Sequence, residues 1–115
     1  MRDELERDYA ALTQHLASSI HEEVKVNGFY DDPIQNKAEK IALMHSELSE
    51  ALEGLRHGDP ASDKIPNFTA TEEELADCII RILDYAGWQN LRLGAAIVAK
   101  LAYNRGRPYK HGKKF

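Results

Sequence analysis

A single cysteine, Cys78, leaves the chain unable to close an internal disulfide, which fits a reducing compartment. Nor is there a cluster of cysteine and histidine at zinc-ligand spacing. No apolar run approaches the roughly 20 residues that a membrane-crossing helix needs. The opening residues MRDELERD are charged and acidic, unlike a secretory signal. Basic charge is not in excess: 15 Lys and Arg stand against 19 Asp and Glu, for a net charge of −4, which argues against a general nucleic-acid binder. Di-iron bundles need Glu three residues before His, and none of His15, His21, His45, His57 or His111 is so preceded. These absences leave the expectation of a cytoplasmic protein with neither a nucleic acid nor a membrane as partner.

At 115 residues the chain reads as one domain spanning 1–115. It has no internal repeat and no convincing strand. Apolar residues recur every three to four positions in four stretches. Leu5, Tyr9, Leu12, Leu16, Ile20 and Val24 predict a helix from about residue 3 to 26, ended by Asn27-Gly28. Ile41, Met44, Leu48, Leu52 and Leu55 predict a second over about 35–56, stopped by Gly58 and Pro60. Leu75, Ile79, Ile82 and Leu83 predict a third, ending near Ala86 because Gly87 should break it. Leu93, Ile97, Val98 and Leu101 predict a fourth over about 91–105, ended by Gly106 and Pro108. The loop from His57 to about Ala70 is long for a compact helical domain, and such loops are often functional or mobile. The expected architecture is all-α, a four-helix bundle-like core.

Two acidic pairs stand out. Glu47 and Glu50 lie three apart on the second helix, Glu74 and Asp77 three apart on the third, and residues at that spacing share a helix face. Acidic residues on a helix ordinarily face water, and a solvated acid usually has Lys or Arg three or four residues away. Glu47 and Glu50 have none, whereas Glu53 has Arg56. They also fall on the line Leu43, Glu47, Glu50, Gly54, which has the spacing of a contact stripe. Unsupported acids in a contact stripe need a counter-ion, and a hard divalent cation such as Mg²⁺ is bound through carboxylate oxygens. The third helix is less decisive. Asp77 has Arg81 at i+4, and Glu74 could close a capping box from Thr71, with Thr69 and Glu72 as the other register. Asp84, seven residues after Asp77, could be an outer partner. Beyond Lys100 the chain is basic, with Lys100, Arg105, Arg107, Lys110, Lys113 and Lys114 and no acid.

Glu-x-x-Glu, residues 51–73, then Glu-x-x-Asp resembles the signature of the MazG-like all-α nucleoside triphosphate pyrophosphohydrolases. Residues 41–53 look like that family's second helix and 73–84 like its third, and Lys100, Asn104 and Arg107 are similar in spacing to its terminal Lys/Asn/Arg set. The likeness covers roughly residues 35–110. One departure is Ser46, where many members have a further Glu. The resemblance implies hydrolysis of a nucleoside triphosphate to monophosphate and pyrophosphate with Mg²⁺, which Mn²⁺ could replace. Glu47, Glu50, Glu74 and Asp77 would be catalytic metal ligands, and Lys100, Asn104 and Arg107 would hold phosphate oxygens. It further implies a homo-oligomer, dimer or tetramer, with shared sites. Two alternatives stay open: a non-catalytic helical interaction module, or an activity like that of the phosphoribosyl-ATP pyrophosphohydrolases.

Overall fold

In the computed structural model, which describes residues 2–114, the chain forms α1 (Arg2–Val26), α2 (Lys37–Arg56), α3 (Ala70–Gln89) and α4 (Leu93–Arg105), then a 3₁₀ turn, Tyr109–Gly112. The only β feature among the described residues is an isolated antiparallel bridge, Ala61 to Thr69. The fold is therefore all-α and bundle-like. Among the described residues no helix is long and apolar enough to cross a membrane. The side chain of His111 lies outside what is described.

Local chemistry sets the helix ends. Asn36 caps α2, its Oδ1 accepting from Glu39 N at 3.0 Å. Thr69 caps α3 in a full capping box with Glu72. That settles the register and leaves Glu74 free of any capping duty. Gly87 does not break α3, which continues to Gln89 and stops where Asn90 takes a left-handed φ of 53°. The reason for a glycine at 87 is tertiary. A Cβ there would stand 2.7 Å from His21 Cβ and closer still to the Ala17 carbonyl oxygen. Gly94 in α4 plays the same part against Ala10 and Thr13, whose atoms a Cβ would meet at 2.8–2.9 Å.

Helix α3 is central. It packs against α2 on one side and α1 on the other, and α4 packs on the far part of α1. The contact faces are not the leucine stripes that periodicity suggests. On α1 the buried residues are Thr13 and Ala17, while Leu5, Tyr9, Leu12 and Leu16 are exposed. On α2 the less exposed line is Lys40, Met44, Glu47, Ala51 and Gly54, and Leu48, Leu52 and Leu55 point outward. Small residues let the backbones approach closely, so they take the seams. Among the described residues no large side chain is fully buried, and the radius of gyration of 16.8 Å exceeds the roughly 13 Å of a compact chain this long.

The connection between α2 and α3 is hydrogen-bonded across its base. Asp59 N donates to Gly54 O at 2.8 Å, Ala70 N to Pro60 O at 2.7 Å and Ser62 N to Phe68 O at 2.8 Å. Ser62 is buried, accepts at Oγ from Lys64 N and Ile65 N, and donates to the Glu73 carboxylate. Asp59 accepts from both the backbone and the hydroxyl of Thr71, which holds its carboxyl below the usual range. The loop is thereby fixed to the first turns of α3, with Lys64 leaning over the acidic seam.

Candidate metal centre

The α2–α3 seam is where the acids meet. Glu47, Glu74 and Asp77 each offer a carboxylate oxygen, and these atoms lie within 4.8 Å of one another. Opposite ligands on a divalent cation stand about 4–5 Å apart for bonds of roughly 2.0–2.6 Å, so the spacing fits an ion held by oxygen. Glu47 is the deepest, with its side chain 12% exposed. Burial pushes the Glu74 carboxyl up to about 7, helped by a hydrogen bond shared with Glu47 and by the charges of Glu73, Glu47 and Asp77. Burial also raises Asp77, as do Glu47 and Glu73, against the pull of Lys64 and Arg81. Three carboxyl groups forced together share a proton when no cation is present. The all-oxygen donor set therefore suits a hard ion such as Mg²⁺ or Mn²⁺.

Three of the four acids singled out by spacing thus converge. The fourth, Glu50, is exposed and stands outside the cluster. The seam follows the positions of Glu47 and Ala51, so Glu50 is turned off it toward solvent. Arg81 departs from its sequence-based partner: it reaches across to α2, and its Nε donates to Glu47 Oε1 at 2.9 Å. Glu47 therefore has a basic partner after all, supplied by another helix and invisible to a search along its own.

A cavity of about 300 Å³ opens at this seam, lined by Val24, Phe29, Glu47, Lys64, Asp77, Ile80, Arg81 and Asp84. A second of similar size continues from Val24, Phe29, Arg81 and Asp84 to the start of α2, with Gln35, Asn36, Glu39, Lys40 and Leu43. Asp84 is not a member of the acid cluster. Its Oδ2 accepts from the Tyr30 hydroxyl at 2.6 Å, and its Oδ1 lies 3.0 Å from His21 Nδ1. Burial first, and then this bond and the Asp84 charge, push the Tyr30 phenol up. Tyr30 stacks edge-on with His21 and packs beside Trp88, with the Lys40 ammonium 4.1 Å from its ring centre. Trp88 thus serves helix-end packing. The fixed positions of Asp84, His21 and Tyr30 hold α1 and the chain beyond it against α3 beside the cavity.

The terminal set, Lys100 and Asn104 on α4 with Arg107 just beyond it, is assembled, but elsewhere. Lys100 and Arg107 both lie over the Tyr103 ring, at 4.6 and 5.7 Å, and Asn104 Oδ1 is buried with no hydrogen-bond partner. No residue of α4 lines either cavity at the acids. Residues that spacing did not single out lie beside the acids instead: Lys64 from the loop and Arg81 across the seam line the cavity, and Glu73 tethers Ser62. Only Arg81 left a trace in sequence, as the i+4 neighbour of Asp77. Lys64 left none, because the loop's path is decided by Ser62 and Asp59.

Comparison of the chain with protein-family models, with curated proteins and with solved structures finds no match. What the site can do has to be argued from its own groups.

Proposed function

We propose that this chain is a Mg²⁺-dependent nucleoside triphosphate pyrophosphohydrolase, cleaving between the α and β phosphates to give monophosphate and pyrophosphate. The observation that carries the reading is the convergence of Glu47, Glu74 and Asp77 across the α2–α3 seam. Folding alone has no use for three carboxyls so placed that one is raised to about 7. Phosphoryl transfer mostly needs positioning and charge neutralisation. A bound divalent ion would neutralise phosphate oxygens and acidify a water. Glu47, Glu74 and Asp77 would hold the cation, and Val24, Phe29 and Ile80 wall the cavity beside Glu47 and Asp77. The cytoplasm, with its nucleotide pool, is the compartment this reaction suits.

We propose further that the active form is a homo-oligomer, dimer or tetramer. Leu5, Tyr9, Leu12 and Leu16 on α1 are exposed, as are Leu48, Leu52 and Leu55 on α2 and Leu75 and Ile79 on α3. Exposed apolar surface on this scale marks an association surface. A site shared between copies would also account for the distance of Lys100, Asn104 and Arg107 from the acids of their own chain. Light scattering at micromolar concentration tests this. Wild type should exceed the 13.0 kDa of one chain, and a fully active monomer would end the idea.

A panel of canonical and modified nucleoside triphosphates, with phosphoribosyl-ATP included, tests the reaction by measuring pyrophosphate against orthophosphate. Pyrophosphate released only with Mg²⁺ or Mn²⁺ is the expected result. Orthophosphate and diphosphate instead, or no turnover on any nucleotide, would overturn it, the latter in favour of a helical interaction module.

A further inference from the structure

Arg81 is placed oddly for a structural brace. Its Nε meets Glu47 Oε1 at 2.9 Å, yet its side chain is 41% exposed, whereas Glu47 is nearly covered. A guanidinium carries five N–H donors, and a brace between helices normally presents two of them to one carboxylate. Here a single N–H does so. Arg81 lines both cavities, the one at the acids and the one beyond it. Lys64 faces the first cavity from the loop above, and its charge acts on Asp77. Two cationic side chains, from separate elements, therefore border the space beside the carboxylates.

We infer that Arg81 occupies the cation's place on Glu47 in the metal-free chain and, once Glu47 is taken by a divalent ion, turns with Lys64 to hold the substrate's polyphosphate oxygens. A divalent ion on Glu47 would draw on the same carboxylate charge and repel the guanidinium, which weakens the bond to Arg81 and favours an anionic partner beside the ion. Arg81 stays tethered on α3 and already extends into the cavity, so its freed N–H groups face whatever lies beside the ion. A planar guanidinium matches two phosphate oxygens, and Lys64 adds a point charge. The ligand class is a metal-bound polyphosphate. This inference rests on the metal centre proposed above, and it assigns the phosphate contacts within one chain to Arg81 and Lys64.

Two titrations at matched ionic strength test it without turnover: Mg²⁺ alone, and inorganic tripolyphosphate with Mg²⁺ present. Arg81→Met, which keeps the stem and removes the charge, should bind Mg²⁺ about threefold more tightly, on the scale of a surface ion pair's worth. It should bind tripolyphosphate about tenfold or more weakly, the scale of one charge-assisted contact. Arg81→Lys should leave Mg²⁺ affinity near wild type and still weaken tripolyphosphate. Lys64→Ala, on an exposed loop side chain, should weaken tripolyphosphate with little change in Mg²⁺ affinity. If Arg81→Met lowers Mg²⁺ affinity, or leaves tripolyphosphate binding unchanged, the exchange is wrong and Arg81 is a brace. If the variants follow the expected pattern while wild type releases no pyrophosphate from any nucleotide, the exchange stands and the pyrophosphohydrolase reading falls.

Discussion

The two seams of α3 are built on opposite terms. Toward α1, Gly87 lies against Ala17 and His21, and α1 goes on to seat Gly94 of α4 against Ala10 and Thr13. These contacts are small and close, and beside them Asp84 meets His21 at 3.0 Å. Toward α2, the seam begins with Gly54 near Ala70 and buried Ala51, then opens into three carboxyls, of which Glu47 accepts from Arg81. A seam made only for stability would have carried apolar residues where Glu47 and Asp77 stand, since buried like charges are costly. The α1 side is close-packed, and the α2 side keeps like charges together, which on the reading proposed above a cation would neutralise.

The largest expected effect comes from the acids. Glu47→Gln, Glu74→Gln and Asp77→Asn should each lower pyrophosphate release at least about a hundredfold, beyond the range seen for groups that merely support a metal ligand. Circular dichroism should show each folded, and each metal-free variant should melt no lower than wild type. Glu50→Gln, on the exposed side of α2, should fall by an order of magnitude less. Equal losses at all four positions would mean that Glu50 joins the site in the active form.

On the scaffold side, Gly87→Ala puts a methyl group into the Ala17 backbone and should cost about 1–3 kcal/mol in urea unfolding, the range for overpacking. Mg²⁺ affinity of the molecules that stay folded should not change. A loss of Mg²⁺ affinity greater than the loss of stability would join the two seams into one unit.

The pH dependence separates the seams more finely. Glu74 is raised from its ordinary 4.5 to about 7. Between those values the folded chain keeps a proton that the unfolded chain releases. The stability it contributes is full below about pH 4.5 and is lost as pH rises through 7. Metal-free protein should therefore melt progressively lower across that window, and Glu74→Gln should flatten this part of the slope. Saturating Mg²⁺ should reverse it, because the cation binds the deprotonated cluster. The smallest effect belongs to the cap of α3: Thr69→Ala removes the bond to Glu72 N and should cost about 1 kcal/mol in the same unfolding assay. Activity per folded molecule should be kept, since Glu74 takes no part in the cap.

Much of this was legible beforehand, and the failures share one cause. Helix positions follow from periodicity and end signals, which act within a few residues. The Glu-x-x-Glu and Glu-x-x-Asp spacings pointed to one face each, and three of those four acids do converge. The leucine stripes misled, because period identifies an apolar face without saying what covers it. On α1 and α2 the neighbours within the chain are small residues, and the leucines face outward. Gly87 misled for a related reason: its low helix propensity is a local quantity, while its use is a contact with a helix some 70 positions earlier.

By itself, the sequence determined that the chain is helical, where its four helices run, and which acids lack a basic neighbour along their own helix. These depend on hydrogen bonds and side chains within one or two turns. Only the tertiary structure decided that Glu47 meets Glu74 and Asp77 while Glu50 does not. It also decided that Arg81 crosses to Glu47, that Lys64 is carried over the acids by a loop hung on Ser62 and Asp59, and that Lys100, Asn104 and Arg107 stand apart from the acids. Each of these depends on the rotation and crossing of whole helices. Those are set by the smallest residues at the seams, which give almost no signal in a hydrophobic pattern.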